Sequence, residues 1–98
     1  MATFISLISY TDEGMKAIHE SPKRLSLAKQ YLKDLGGRLR QFYLTIGSSD
    51  AVIIYELPDQ QAAAKFLLAV GKQRKVSTQT LMAFPEREYR QIIDALPE

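Results

Sequence analysis

The heptapeptide Ala51–Leu57 (AVIIYEL) constrains the fold more than any other stretch of the chain. Side chains of a strand alternate between two faces, and here both alternate sets are apolar. One set is Ala51, Ile53, Tyr55 and Leu57; the other is Val52 and Ile54, with Glu56 as its only charge. A strand of this kind belongs in the middle of a sheet, with something over each side. The segment from Thr3 to Tyr10 (TFISLISY) repeats the pattern, with Phe4 and Ile8 on one side and Ile5 and Leu7 on the other, interrupted by Ser6 and Ser9.

The remaining elements follow from periodicity and punctuation. Thr11-Asp12-Glu13 offers a cap and an acidic first turn for a short helical piece carrying Met15, Ala17 and Ile18. Ser21-Pro22 starts a longer helix, serine as cap and proline at the first helical position, where its missing N–H costs nothing. Leu25, Ala28, Leu32 and Leu35 then form one apolar stripe until Gly36-Gly37 ends it. Arg38 to Ile46 reads as a second strand, joined by the turn residues Gly47-Ser48-Ser49-Asp50 to the third at Ala51 to Leu57. Pro58-Asp59 caps a helix over Gln60 to Val70, buried through Ala62, Ala63, Phe66, Leu67 and Val70 and closed by Gly71. Val76 to Phe84 is a fourth strand, and after Pro85 an amphipathic stretch with Tyr89, Ile92, Ile93 and Leu96 predicts a short C-terminal helix.

Strand, helix, strand, strand, helix, strand is the split βαβ order, so the expected fold is α+β: a ferredoxin-like sandwich with a four-stranded antiparallel sheet and both main helices on one face. Right-handed crossovers place the first and third strands centrally. At 98 residues the chain fills one domain, 1–98, with one core and no second one.

That architecture leaves the far face of the sheet uncovered, yet its central strands are greasy there. An apolar face of that size marks an interface or a ligand groove. A second copy burying about 800 Å² per subunit would make an ordinary homo-oligomer, a dimer or higher. The plainer alternative is the C-terminal helix folding back over the same face.

One series of residues runs along the chain in a particular order and spacing: Thr11 and Gly14, Ser21-Pro22, Gly36-Gly37, Tyr43, Gly47 with Asp50, Pro58-Asp59, Ala62-Ala63 and Gly71, then Thr78, Thr80, Leu81, Ala83 and Phe84 of the last strand. In that series the chain resembles the GYD domain family of small bacterial and archaeal proteins. The tyrosine that names the family is Ser49 here. The likeness implies a ferredoxin-like fold that assembles like the dimeric α+β barrels, and it brings no activity with it.

Composition excludes several chemistries. With no cysteine there is no thiolate metal site, disulfide or cysteine nucleophile, and with His19 as the lone histidine no histidine pair for a metal; the reading has no metal and no cofactor. Neither a charged leader nor a membrane-length apolar run is present, so the expected location is cytoplasmic, without membrane contact. Thirteen basic against eleven acidic residues give +2, too little for a nucleic-acid footprint.

The ligand-binding candidates are Tyr10, His19, Tyr43, Asp50, Tyr55 and Thr80, with Thr78 beside them. Strand tyrosines and threonines place hydroxyls among apolar side chains, as small-molecule pockets do, although packing explains each of them alone. His19 near Glu20 has the chemistry of a general base, set against the simpler role of a solvated or capping histidine. Asp50 closes either a plain hairpin turn or an anion-binding loop. The first reading is a homo-oligomeric protein binding a small organic ligand at the sheet face or subunit interface. A cofactor-free enzyme of the dimeric α+β barrel type, monooxygenase or isomerase-like, is the alternative. Weak nucleic-acid binding through Arg38, Arg40 and Lys72 to Lys75 is third.

Overall fold

The computed structural model describes every residue from Met1 to Glu98. Its elements are β1 (Ala2–Tyr10), α1 (Asp12–Lys16), α2 (Ser21–Asp34), β2 (Arg38–Leu44), β3 (Ala51–Leu57), α3 (Gln60–Gly71), β4 (Val76–Ala83) and α4 (Glu86–Asp94). The strands form one antiparallel sheet in the order β2-β3-β1-β4, which puts the two strands with apolar residues on both faces in the centre. This is the ferredoxin-like α+β arrangement expected from the element order.

Burial along β3 alternates strictly. Ala51, Ile53, Tyr55 and Leu57 are buried beneath α2 and α3, whereas Val52, Ile54 and Glu56 remain half-buried on the other face. Phe4 and Ser6 of β1 share the helix side, and Leu32 of α2 with Ala62, Ala63 and Phe66 of α3 closes over them. The aromatic rings set the core. Phe4 stacks on Tyr55 at a centroid distance of 5.8 Å, and Phe66 tilts against Tyr55 at 5.1 Å. Each such pair contributes about 0.5–1.5 kcal/mol beyond the area it buries.

Local chemistry accounts for the element ends, with one departure from expectation. Asp59 caps α3 by accepting the Ala62 N–H at 2.8 Å, and Thr11 caps α1 through the Gly14 N–H at 3.1 Å. α2 ends with Gly36 at φ 89°, a left-handed turn that a Cβ would strain, while Gly37 N–H reaches back to Leu32 O at 2.9 Å. Ser21, however, does not cap α2. A 3₁₀ turn at Ile18–Glu20 runs straight into that helix, and Ser21 itself is already inside it, donating its N–H to the Ile18 carbonyl. α3 does end at Gly71, but the left-handed position that follows falls on a non-glycine residue, Arg74 at φ 61°.

β2 carries a register shift between Leu39 and Gln41, so Arg40 is an extra residue in the ladder. The bulge inverts the alternation downstream. Leu39, Phe42 and Leu44 lie opposite Tyr55, Ile53 and Ala51 on the helix side, and Tyr43 opposite Val52 on the open face. Strand β2 also ends at Leu44 rather than Ile46, because Thr45 already belongs to the turn, donating its N–H to Asp50 O at 2.8 Å.

α4 does not fold back over the open face. Every residue from Phe84 to Glu98 is exposed, including Tyr89, Ile92, Ile93 and Leu96 on its apolar side. No helix is long and apolar enough to cross a membrane.

Candidate functional site

The helix-side face of the sheet is filled at one end and hollow at the other. Near the N-terminal half of β1, Phe4, Tyr55 and Leu57 are buried in close packing, and Phe66 stands at the border between the two ends. Towards Tyr10 the sheet offers smaller or peripheral residues, Ser6, Ile8, Ala51 and Val76, and a cleft of about 650 Å³ opens between them and the helices. Its walls are Leu25, Ala28 and Tyr31 of α2 and Phe66, Leu67 and Val70 of α3. That volume is within the range of about 300–1,000 Å³ of small-molecule sites, and predominantly apolar walls with a few polar groups are their usual make-up.

Ser6 of the cleft lining is the middle member of a chain of hydroxyls that continues outside it. Ser6 Oγ lies 2.8 Å from Tyr55 Oη and 2.8 Å from Thr80 Oγ1, and both Ser6 and Tyr55 are fully buried. Burial pushes the Tyr55 phenol above its ordinary range, and the neighbouring Ser6 and Thr80 hydroxyls pull it only partly back. At neutral pH Tyr55 is therefore a protonated hydrogen-bonding group rather than a base.

The mouth of the cleft is basic. Arg24 of α2, together with Lys72 and Lys75 of the segment following α3, contributes to the lining, and no aspartate or glutamate does. Arg24 donates from Nη1 to the Ala17 carbonyl at 3.1 Å, whereas its Nη2 is shielded from solvent and has no hydrogen-bond partner. An orphan donor of this kind costs about 1–3 kcal/mol. Lys75 Nζ lies 3.9 Å from Glu13 Oε2, and neither Arg24 nor Lys72 pairs with a carboxylate.

The residues singled out in the sequence are dispersed by the fold. Tyr55 and Thr80 come together through Ser6, and Tyr10 and Thr78 line the cleft. Tyr43 is on the opposite face, about half exposed. Asp50 accepts the Tyr10 N–H at 2.9 Å through Oδ2, and its own N–H reaches Ile8 O at 2.7 Å, so its chemistry fastens the hairpin to the end of β1. His19 is exposed on the 3₁₀ turn and forms no side-chain hydrogen bond. Ser49, at the family's tyrosine position, accepts the Thr45 hydroxyl with its carbonyl at 2.6 Å.

Ser6, Arg24, Lys72 and Lys75 are not among the ligand-binding candidates read from the sequence. Ser6 is signalled there only by its place between Phe4 and Ile8 in one alternate set, a hydroxyl in an otherwise apolar row. Arg24 stands four residues before Ala28, on the same side of α2 as the apolar stripe.

The open face has a different character. Ile5 and Leu7 of β1 pair with Ile54 and Val52 of β3 and with Leu81 and Gln79 of β4, giving an apolar centre. At its edge Glu56 Oε1 receives Arg38 Nε at 3.1 Å and Arg40 Nη1 at 3.4 Å. The Arg38 hydrogen bond holds the Glu56 carboxyl below its ordinary range against the opposing effect of burial, with the charges of Arg40 and Arg38 adding to the lowering.

Known proteins match this chain over most of its length. A curated relative from Thermus thermophilus, named "Glutamine synthetase and cystathionine beta-lyase binding protein", is 34% identical over 86 residues, covering 87% of this chain and 90% of that protein. Two solved structures share the fold at lower identity. FFRP-DM1 superposes with a TM-score of 0.60 at 17% identity, over 86% of this chain and all of that one. TTHA0845, also from Thermus thermophilus, gives 0.55 at 21% identity, over 87% and 95% of the two chains. The GYD domain pattern matches residues 4–93, and the chain belongs to the GYD domain family.

Proposed function

We propose that the protein is an interaction module that works as a homo-oligomer and binds another protein through apolar surfaces its own core leaves free. The observation that carries this is α4, whose Tyr89, Ile92, Ile93 and Leu96 form an apolar side with nothing packed on it, next in the chain to a sheet with one uncovered face. Two unpartnered apolar surfaces on one small chain are more than a soluble monomer ordinarily exposes. The open face suits a second copy: in a two-fold pairing Ile5, Leu7, Val52, Ile54 and Leu81 would meet their own counterparts, with the Arg38, Arg40 and Glu56 cluster at the rim. The name of the Thermus relative describes a protein that binds two enzymes, which makes enzymes the partner class to examine first.

Sedimentation equilibrium at micromolar concentration tests the assembly. A dimer or larger species is expected, and replacing Ile54 by lysine should return it to monomer with the fold intact by circular dichroism. A wild-type monomer under those conditions rules the oligomer out. Purified glutamine synthetase and cystathionine β-lyase, passed over the immobilised protein, test the partner class. The expected result is binding that is lost when Ile92 and Ile93 are both changed to serine.

A second reading, a small organic ligand, is favoured by the cleft described above. It places the ligand between sheet and helices within one protomer, rather than on the open face. Thermal stabilisation tests it, since a ligand at a hundred times its dissociation constant adds about 2.7 kcal/mol.

A further inference from the structure

We propose that the helix–sheet cleft binds an amphipathic organic anion, with the apolar body among Ile8, Ile53, Phe66 and Val70 and the acidic head at Arg24 and Lys72. This rests on the small-ligand reading and assigns its chemistry. Three features of the cleft point the same way. Its interior is too apolar to favour a free inorganic anion, which would give up hydration there and gain only the contacts at the rim. Its charged groups are all of one sign, Arg24, Lys72 and Lys75, so a cation entering head-first meets repulsion and an anion attraction. Arg24 Nη2 is an N–H group without an acceptor in a place water does not reach. Nη1 is committed to the Ala17 carbonyl, so a carboxylate or sulfonate in the cleft would be met by Nη2, the donor left free, once a small rotation of the side chain turns it towards the ligand.

The polar groups are also placed for a ligand of this shape. Of the lining groups Ser6 is fully buried, whereas Lys72 is exposed and Arg24 and Lys75 are half-buried, so the cations lie nearer solvent than the neutral hydroxyl. Ser6 is already hydrogen-bonded to Tyr55 and Thr80, so the deep end asks nothing polar of a ligand, and a hydrocarbon or aromatic body suffices. Lys75 is partly answered by Glu13, which makes Arg24 and Lys72 the cations with capacity to spare.

The test compares three probes with the same alkyl chain: decanoate, decan-1-ol and decyltrimethylammonium. Their affinities for the full chain are measured by titration calorimetry at one ionic strength, and the site is located by methyl NMR. Decanoate should bind at least tenfold more tightly than decan-1-ol, with decyltrimethylammonium weakest, and the shifts should centre on Ile8, Ile53 and Val70. Lys72→Gln, an exposed position in no ion pair, should narrow the gap between decanoate and decan-1-ol. Arg24→Gln should close most of what is left, with folding checked by thermal melting because Arg24 also holds Ala17. Equal binding of decanoate and decan-1-ol in the cleft would overturn the anion assignment while leaving the small-ligand reading standing. No binding of any probe, or shifts confined to Ile5 and Ile54 on the open face, would overturn both.

Discussion

The two ends of the layer between sheet and helices are made of the same elements and differ in side-chain size. At one end Phe4, Tyr55, Leu57, Leu32 and Phe66 are all at most 4% exposed and interlock around two aromatic contacts. At the other, Ser6 and Ala51 occupy the corresponding positions on the central strands, and α2 and α3 hold the walls of a cleft instead of closing it. Packing density in protein interiors is high enough that a hollow of this size reflects which residues are present. One end therefore secures the fold, and the other is free for a different task.

Truncation should expose that division most strongly. Phe66→Ala removes the ring that touches both Tyr55 and Tyr31 and should cost about 3–5 kcal/mol in urea unfolding. Leu44→Ala, at the hollow end and 71% exposed, should stay within about 0.5 kcal/mol. Similar losses at both positions would break the comparison.

A smaller effect separates the members of the hydroxyl chain. Ser6→Ala removes the hydroxyl that bridges Tyr55 and Thr80 and should cost about 1–3 kcal/mol, whereas Tyr55→Phe leaves Ser6 paired with Thr80 and should cost about 0.5–1.5 kcal/mol. The ordering of the two in chemical denaturation is the result to check.

Two titrations sharpen the contrast between buried and exposed polar groups. Because the Tyr55 phenol is raised in the folded state, its support is complete below the ordinary phenol range and is lost as pH climbs through it, when the unfolded chain ionises first. Tyr55→Phe should flatten the alkaline fall in stability, and Tyr89→Phe, on exposed α4, should leave it unchanged. Glu56 runs the other way. Its lowered carboxyl supports the fold above the ordinary carboxylate range, and that support fades as pH falls towards the lowered folded value. Glu56→Gln should soften the acid limb slightly, the smallest of these effects, since surface pairs of this kind contribute little.

Element identity was legible in the sequence because it rests on local rules. The two-faced β3, the stripe on α2 and the caps at Thr11 and Asp59 all depend on residues a few positions apart. The central placing of β1 and β3 followed from the same pattern combined with crossover handedness. The site was less legible. Arg40 gives no local sign that it is an extra residue in β2, yet it decides that Phe42 faces the helices and Tyr43 does not. Ser21 looked like a cap because the 3₁₀ turn before it could not be read from composition. The cleft depends on a sum of volumes from six elements, and no window of sequence contains that sum. The grouping of Ser6 with Thr80 needs the β1–β4 register, which joins residues far apart in the chain.

Thr11 caps α1, and it also fastens the segment after α3 that helps to line the cleft. Its N–H donates to Lys75 O at 3.0 Å and its hydroxyl to Arg74 O at 2.6 Å, while Gly14 is packed so closely beneath the Lys75 carbonyl that a Cβ would collide with it. The stretch bearing Lys72 and Lys75 is thus stitched to α1 from outside. An incoming molecule would meet a doorway already set in place and surrender little of its binding energy to arranging it. Loosening a residue that never touches the visitor, such as Thr11, should therefore shorten its stay.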